Sequence, residues 1–456
     1  SLRALKHKVY VFGKQVEDIV NHPIIQPHIN AAAMTYELAN RPESQDLVTA
    51  ISHLTGERIS RFTHIHQNTQ DLVKKVKMLR LLGQQTGTCF QRCVGMDALN
   101  SLYCTTYEMD EKFKTGYHKK FRDYLTYIQS NNFMCCGAMT DPKGDRSLSP
   151  SQQPDPDQYV RVVKREKDGI IIRGAKIHQT GGVNSHEIII MPTTALKEED
   201  KDYAVACAVP VNSPGITFIF GRQSNDSRQI ESGEIDKGNA EFGIVGGEAT
   251  IVFEDVFIPW DRVFMCGEFE FAGQLVEMFA SYHRQNYGGC KGGVSDVVVG
   301  AAATIAEYQG IAKAPHVRDK ITEMLHLTET LYSCSIACSV EGQPTPSGAY
   351  YVNPLLANIA KHNTTRHIYE ICRLCHDIAG GFIATMPSEE DFRSPEVGAL
   401  VKKYFSSVAQ IPTEYRLRIG RLIENMTSGT ALVESMHGAG SPQAQRVMIY
   451  RQGNLK

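Results

Sequence analysis

Two stretches carry side chains whose types and spacing suit chemistry. Ser281-Tyr282-His283-Arg284-Gln285-Asn286-Tyr287-Gly288-Gly289-Cys290-Lys291 sets an imidazole and a thiol seven residues apart, with a phenol between them and an amine beyond. Far upstream, Cys89-Phe90-Gln91-Arg92-Cys93 offers two thiols at i and i+4. On a helix that spacing puts both sulfurs on one face, about one turn apart. Cys89, Cys93, His283 and Cys290 form a three-thiolate, one-imidazole set that suits a zinc ion or an iron–sulfur cluster. Cysteines at helical spacing are ordinarily core residues, so the surrounding text must decide.

The elements that would position these groups come from a chain of 456 residues, long enough for several domains with sizeable cores. Acids and bases nearly balance at a formal net charge of −2 and are interspersed, which leaves no nucleic-acid or polyanion footprint. The uncharged apolar run Val297 to Ala306 spans ten residues, too few to cross a bilayer, and no signal peptide opens the chain. The chain starts without Met, which leaves room for a start further upstream. Twelve cysteines without a regular framework point to a reducing, cytoplasmic setting.

Residues 1–134 read as a helical domain. Gln45 to Gly56, Gln70 to Gly83 and Gly87 to Tyr107 carry apolar residues at three- and four-residue spacing, with Thr88 as an N-cap before Cys89. In the second, Lys74, Lys75, Lys77 and Arg80 are expected on a solvated basic face. Phe121 to Ile128 closes the region. Residues 135–266 change texture. Tyr159–Lys164, Gly169–Gly174, Glu187–Pro192, Tyr203–Val209, Gly215–Phe220 and Ala249–Phe253 read as short strands, and Asp168-Gly169 as a hairpin turn. Strands without intervening helices suggest a barrel or sandwich. Residues 267–456 read as a helical bundle, with helices over Gln274–His283, Val294–Gly310, Val317–Val340, Pro354–Gly380, Pro395–Phe405 and Pro412–Thr430. Cys372-Arg373-Leu374-Cys375 is a CxxC, but its apolar helical flanks favour core packing. The expected class is therefore α+β and multidomain: helices, a middle β-barrel domain, then a helical bundle.

That order resembles the acyl-CoA dehydrogenase fold, and local motifs join in. Gly137-Ala138-Met139-Thr140-Asp141-Pro142-Lys143-Gly144-Asp145 is similar to that superfamily's flavin loop, and Gly174 to Gly181 to the strand and turn that follow it. Phe253-Glu254-Asp255-Val256-Phe257-Ile258-Pro259 resembles the exit from the β-domain, and Ile378-Ala379-Gly380-Gly381 the glycine pair a neighbouring subunit brings to the nucleotide. Glycines allow close backbone approach, while hydroxyls and amides donate to flavin ring atoms. Within the superfamily the text is most similar to the 4-hydroxybutyryl-CoA dehydratase family, densely so over Lys75–Asp97, Gly137–Arg146, Ala280–Lys291 and Glu434–Arg446. The segment Phe392 to Phe405 departs from it by being shorter.

The resemblance implies a [4Fe–4S] cluster on Cys89, Cys93, His283 and Cys290, so zinc recedes. It implies noncovalent FAD against Met139, Thr140, Asp141, Pro142, Asp145, Arg146, Gln179 and Thr180, with Gly380 and Gly381 arriving from another subunit of a homotetramer, a dimer of dimers. It puts Glu248, Tyr287, Lys291 and Glu434 around an acyl-CoA substrate, with His283 doubling as a base. The implied reaction is radical dehydration of 4-hydroxybutyryl-CoA to crotonyl-CoA, with vinylacetyl-CoA Δ-isomerisation. A thioester acidifies C2–H but not the C3–H that must leave with the C4 hydroxyl, and temporary oxidation by the flavin activates it. Two neighbouring readings share these features: a flavin-dependent aromatic monooxygenase of the 4-hydroxyphenylacetate 3-monooxygenase type, and a dehydratase of a related hydroxyacyl-CoA. A cluster-bearing sensor without catalysis is a third.

Overall fold

A computed structural model describes residues 1–224, 226–231 and 233–454. The chain opens with β1 (Lys8–Val11) and β2 (Lys14–Gln15), then α1 (Gln26–Glu37), α2 (Pro42–Val48) and a hairpin of β3 (Thr49–Ile51) with β4 (Arg58–Ser60). Three longer helices follow: α3 (Thr69–Thr86), α4 (Cys93–Phe113) and α5 (Tyr117–Asn131). The helix expected over Gln45–Gly56 stops at Val48, because Thr49 and Ile51 pair with Ser60 and Arg58 across a turn closed by Gly56 at φ 73.

Another correction bears on the site. α3 ends on Gly87 at φ 62, and α4 begins only at Cys93. Cys89 therefore sits on a loop, with Gln91 at φ 69, and does not share a helix face with Cys93. Thr88 caps nothing; the residue before α4 is Arg92, whose side chain makes no cap bond.

The middle of the chain supplies β5 (Cys135–Ala138), β6 (Arg161–Arg165), β7 (Gly169–Thr180), β8 (Glu187–Ile190), β9 (Val205–Pro210), β10 (Ile216–Phe220), β11 (Glu248–Pro259) and β12 (Val263–Cys266). All six expected strands are present, and the Asp168-Gly169 turn joins β6 to β7 antiparallel. They do not close into a barrel. A six-stranded sheet runs β2-β1-β10-β11-β7-β6 and a four-stranded one β12-β9-β8-β5, each with its own edges. β1 and β2, from the region expected to be helical, complete the larger sheet, with β1 parallel to β10. Ile172, Ile189, Phe218, Ile251, Phe253 and Phe264 meet in one core that also takes Leu102 from α4 and Phe121 and Leu125 from α5. At about 25 cal/mol per Å² of apolar surface removed from water, this shared burial is the main force joining helices to sheets.

The rest is helical: α6 (Ala272–Tyr308), α7 (Pro315–Val340), a two-residue hairpin of β13 (Gln343–Pro344) with β14 (Tyr350–Tyr351), α8 (Pro354–Ala379), α9 (Glu389–Arg393), α10 (Gly398–Tyr404), α11 (Thr413–Thr427), α12 (Thr430–His437) and α13 (Pro442–Gln452). The break expected between His283 and Val294 is absent, and α6 runs unbroken for 37 residues. Its glycines are there for proximity. A Cβ on Gly289 would stand 2.6 Å from the Val76 carbonyl, one on Gly293 2.2 Å from that of Arg80, and one on Gly288 2.2 Å from that of Leu331. α3 and α7 thus press directly on the α6 backbone, an approach only glycine permits. Cys372 and Cys375 are buried within α8, as core packing requires. Among the described residues no helix is long and apolar enough to cross a membrane.

Candidate active site

The unbroken α6 carries His283, Tyr287 and Lys291 at i, i+4 and i+8, and Cys290 beside Lys291. α3 holds that stretch from one side, since a Cβ on Gly83 would lie 2.6 Å from the Cys290 carbonyl. The Cys89 loop comes close from another. The Cys89 thiol bonds with Cys93, which lowers the first pKa and raises the second, while burial adds to the rise at Cys93. Burial pushes Cys290 up to about 12. Charges on Cys89 and Cys290 both act on Cys93, so the three sulfurs form one electrostatic group. Neutral thiols of this kind release protons when a metal takes the sulfur.

His283 is held by a buried polar network. Its Nδ1 lies 2.7 Å from Asp97 Oδ2, which also accepts from Asn286 Nδ2 at 2.6 Å, while Lys75 Nζ donates to Asp97 Oδ1 at 2.7 Å. The Lys75 and Asp97 side chains are both 0% exposed. With two other donors already on Asp97, Nδ1 is best satisfied as the N–H donor, leaving the Nε2 lone pair for a ligand. Phe279 stacks on the imidazole at 5.5 Å, and Tyr287 meets it edge-on at 5.8 Å. Lys75 thus departs from the solvated basic face expected of it. It falls three residues after Leu72 and four before Leu79, within the apolar stripe, which is the signal that could have placed it inside.

Strand register brings Glu248 opposite Thr180, whose hydroxyl donates to the carboxylate at 2.9 Å. Burial, with help from charge on Cys89 and Glu434, raises the Glu248 pKa well above the usual carboxylate range. Lys291 and Glu434 form an ion pair that joins α6 to α12. Burial pulls the Lys291 ammonium down, but Glu434 and the neighbouring thiols outweigh it and leave the pKa above the ordinary lysine value. Tyr287 is buried, and burial followed by the Glu434 charge raises its phenol strongly. A narrow cleft opens beside Lys291, lined by Thr88, Val298, Ile368, Leu432 and Ser435 among others.

The loop after β5 is fixed from beneath. Lys176 Nζ donates to the Met139 and Met191 carbonyls at 2.8 and 2.7 Å and pairs with Asp141 at 2.6 Å. Thr193 bonds to Asp141, and Gln179 Nε2 donates to the Thr140 carbonyl at 3.2 Å. Asp145 and Arg146 are exposed further along the same loop. Gly246 links this side to the thiols: a Cβ there would stand 2.7 Å from Thr180 Cγ2 and 3.2 Å from Cys89 Sγ. Met139–Pro142, Gln179, Thr180 and Glu248 therefore lie on the side of the thiol group. Gly380 and Gly381 do not join them; they lie exposed past the end of α8, whose last carbonyl accepts from Gln309. Among the described residues no three His, Cys, Asp or Glu side chains converge as a single-ion site. Lys75, Asp97, Lys176, Asn286 and Lys361 complete the site beyond the residues singled out by sequence.

Both sequence halves match one family's models: 4-hydroxyphenylacetate 3-hydroxylase N terminal over residues 1–265 and C terminal over residues 272–456. The chain belongs to the 4-hydroxyphenylacetate 3-hydroxylase family. Within that family it is 57% identical, across its full length and 95% of the relative, to the 4-hydroxybutyryl-CoA dehydratase/vinylacetyl-CoA-Delta-isomerase of Clostridium aminobutyricum. A solved structure of an oxygen-tolerant archaeal 4-hydroxybutyryl-CoA dehydratase from N. maritimus superposes with a TM-score of 0.97 at 55% identity, covering 99% of this chain and 90% of that one. The oxygenase component of 4-hydroxyphenylacetate 3-monooxygenase, complexed with FAD, shares the fold at a TM-score of 0.85 and 23% identity, covering 99% and 94%.

Proposed function

We propose that this chain dehydrates 4-hydroxybutyryl-CoA to crotonyl-CoA and isomerises vinylacetyl-CoA, with FAD and a [4Fe–4S] cluster as its resident groups. The reading rests on full-length 57% identity to an enzyme named for both activities. The aromatic monooxygenase alternative is weaker, because the relative of that activity from Thermus thermophilus is only 25% identical. The donor chemistry fits the cluster. Cys89, Cys93 and Cys290 interact electrostatically, and the imidazole is oriented by a carboxylate. Three thiols and one imidazole match one ligand for each iron of such a cluster. For the flavin, Met139–Arg146, Gln179 and Thr180 are the proposed cradle. Gly380 and Gly381, where an added Cβ would meet nothing within 4 Å, are offered to another subunit of a homotetramer. We assign the helical, sheet and helical segments to 1–134, 135–266 and 267–456, an acyl-CoA dehydrogenase-like order, with β1 and β2 lent to the middle. The free cysteines suit a reducing cytoplasm.

When bound, the flavin supplies a reversible one-electron acceptor and the cluster a Lewis-acidic iron. The residues supply the rest. Glu248, where burial favours the protonated form, sits beside Thr180 where an acid or hydrogen-bond donor is needed. Tyr287 stays a neutral phenol and donates to a substrate oxygen. Lys291, held charged by Glu434, fixes anionic character developing at the thioester oxygen. Asp97 presents His283 through Nε2, which can take up a proton when not ligating. The test is anaerobic purification followed by incubation with 4-hydroxybutyryl-CoA. Crotonyl-CoA should form without added acceptor or dioxygen, with FAD oxidised before and after. Product that appears only with reduced flavin and dioxygen would overturn the reading.

A further inference from the structure

Lys361, on α8, is 0% exposed, and its hydrogen bonds go to backbone carbonyls. Its Nζ donates to the Ser435 carbonyl at 2.6 Å and the Met436 carbonyl at 3.2 Å, and lies 3.9 Å above the centre of the Tyr287 ring. Those carbonyls belong to the last turn of α12, where the helix leaves acceptors unmatched and favours a cation. One residue before them is Glu434, the partner of Lys291. A second buried cation grips the next residues: Arg284 Nε donates to the Ala439 carbonyl at 3.0 Å, and its Nη1 to Asn358 Oδ1 at 2.6 Å. Asn358 lies one turn before Lys361 on α8, so one helix face serves both cations. Gln445 Nε2 closes the turn by donating to the Gly440 carbonyl at 2.9 Å. Held this way, the turn carries Ala439 at φ 59, and a Cβ on Gly438 would stand 1.9 Å from Tyr287 Oη.

We infer that Lys361 is a positioning residue: it clamps the end of α12 over Tyr287 so that Glu434 meets Lys291 at a fixed distance. A buried ammonium is costly where a methionine of similar length would fill the same space without that desolvation, so the amine points to a task beyond filling space. Burial pushes its pKa down to about 7, yet charged or neutral amine alike has N–H groups for the two carbonyls. Displacements of about 1 Å at catalytic groups cost on the order of 100-fold in rate. The clamp should therefore act on turnover more than on substrate capture. The inference rests on the proposed dehydratase reading for its kinetic arm alone.

The test uses the full-length holoenzyme and its Lys361→Met, Lys361→Gln and Lys361→Arg variants. Amide hydrogen exchange of the wild type comes first. Protection over residues 434–440 should match the interior of α8, and exchange as fast as at a frayed terminus would overturn the clamp whether or not any variant folds. In Lys361→Met, exchange should accelerate in that segment and not elsewhere, with flavin and iron content kept. Its kcat should fall about 100-fold with KM within about threefold, and Lys361→Gln or Lys361→Arg should recover at least about tenfold of the loss by restoring donors. Unchanged local exchange, or a loss spread over the whole chain and not relieved by either donor, would assign Lys361 to plain packing. If the wild type fails to dehydrate 4-hydroxybutyryl-CoA, the functional proposal falls while the exchange arm still decides the clamp.

Discussion

Replacing Asp97 tests the network that holds His283. The carboxylate accepts from Lys75, His283 and Asn286 with no exposure to water. In Asp97→Ala the Lys75 ammonium keeps only the Tyr282 carbonyl at 3.0 Å and the Tyr282 ring at 5.3 Å. Removing one partner of a buried ion pair costs about 3–5 kcal/mol, because the remaining charge stays desolvated. Removing both should cost far less, so Lys75→Met combined with Asp97→Leu is expected within about 2 kcal/mol of the wild type. The cycle of Lys75→Met, Asp97→Leu and their double variant, followed by circular dichroism in urea on the full chain, should give a coupling of at least about 2 kcal/mol. The double variant should regain stability without regaining iron, since His283 then lacks the acceptor that orients it, and such losses typically lower metal affinity about 10–100-fold. A cost below about 1 kcal/mol for Asp97→Ala, or a double variant equal to the sum of the singles, would refute the reasoning.

Anaerobically prepared protein should hold about four iron and four sulfide per chain, and Cys89→Ala or Cys290→Ala should lose most of both; stoichiometric zinc in their place would contradict the ligand set. His283→Cys should keep part of the iron yet lose dehydration by about two orders of magnitude, the scale for a positioned acid–base group, as read by crotonyl-CoA formation. Lys361 titrates near 7 when folded against an ordinary 10.5, so the unfolded chain binds more protons between those values. The contribution of Lys361 to stability should fall as pH drops from about 10.5 to about 7 and level off below; the stability difference between wild type and Lys361→Met in urea titrations should follow that course.

Much of the scaffold was legible because periodicity reports burial directly. The six expected strands stand where β-branched runs and turns put them, and α7 and α8 fill the spans read as helical. The failures have physical causes. Glycine reads as a helix breaker, yet at Gly288, Gly289 and Gly293 the gain from close helix packing outweighs its entropic cost. Cys89 and Cys93 read as a helical pair, but Gly87 ends α3 and the loop turns back to bring the sulfurs together by another route. Sheet closure depends on which edges pair, and local text holds no information on that. Charge ordinarily marks a solvated position, but Lys75 is buried against Asp97, a partner 22 residues away. Lys361 carries no local signal because its acceptors are backbone carbonyls, which no residue type announces, and Arg284 divides its donors between such a carbonyl and Asn358, 74 residues away.

The seam of bare backbone along α6 sets which of the four proposed ligands can adjust. His283 and Cys290 ride on a helix that cannot slide or roll without driving carbonyls of α3 and α7 into its glycines. Cys93 starts α4, which shares the core beneath the sheets. Cys89 alone sits on irregular chain between two helices. Three ligands are thus set by the frame, as a jig sets a workpiece, and the fourth is the compliant jaw. An extra residue between His283 and Lys291 would swing everything beyond it by about 100° around the helix axis. The same residue added between Gly87 and Arg92 would only lengthen the jaw, so the freedom left to this site's geometry lies in that loop.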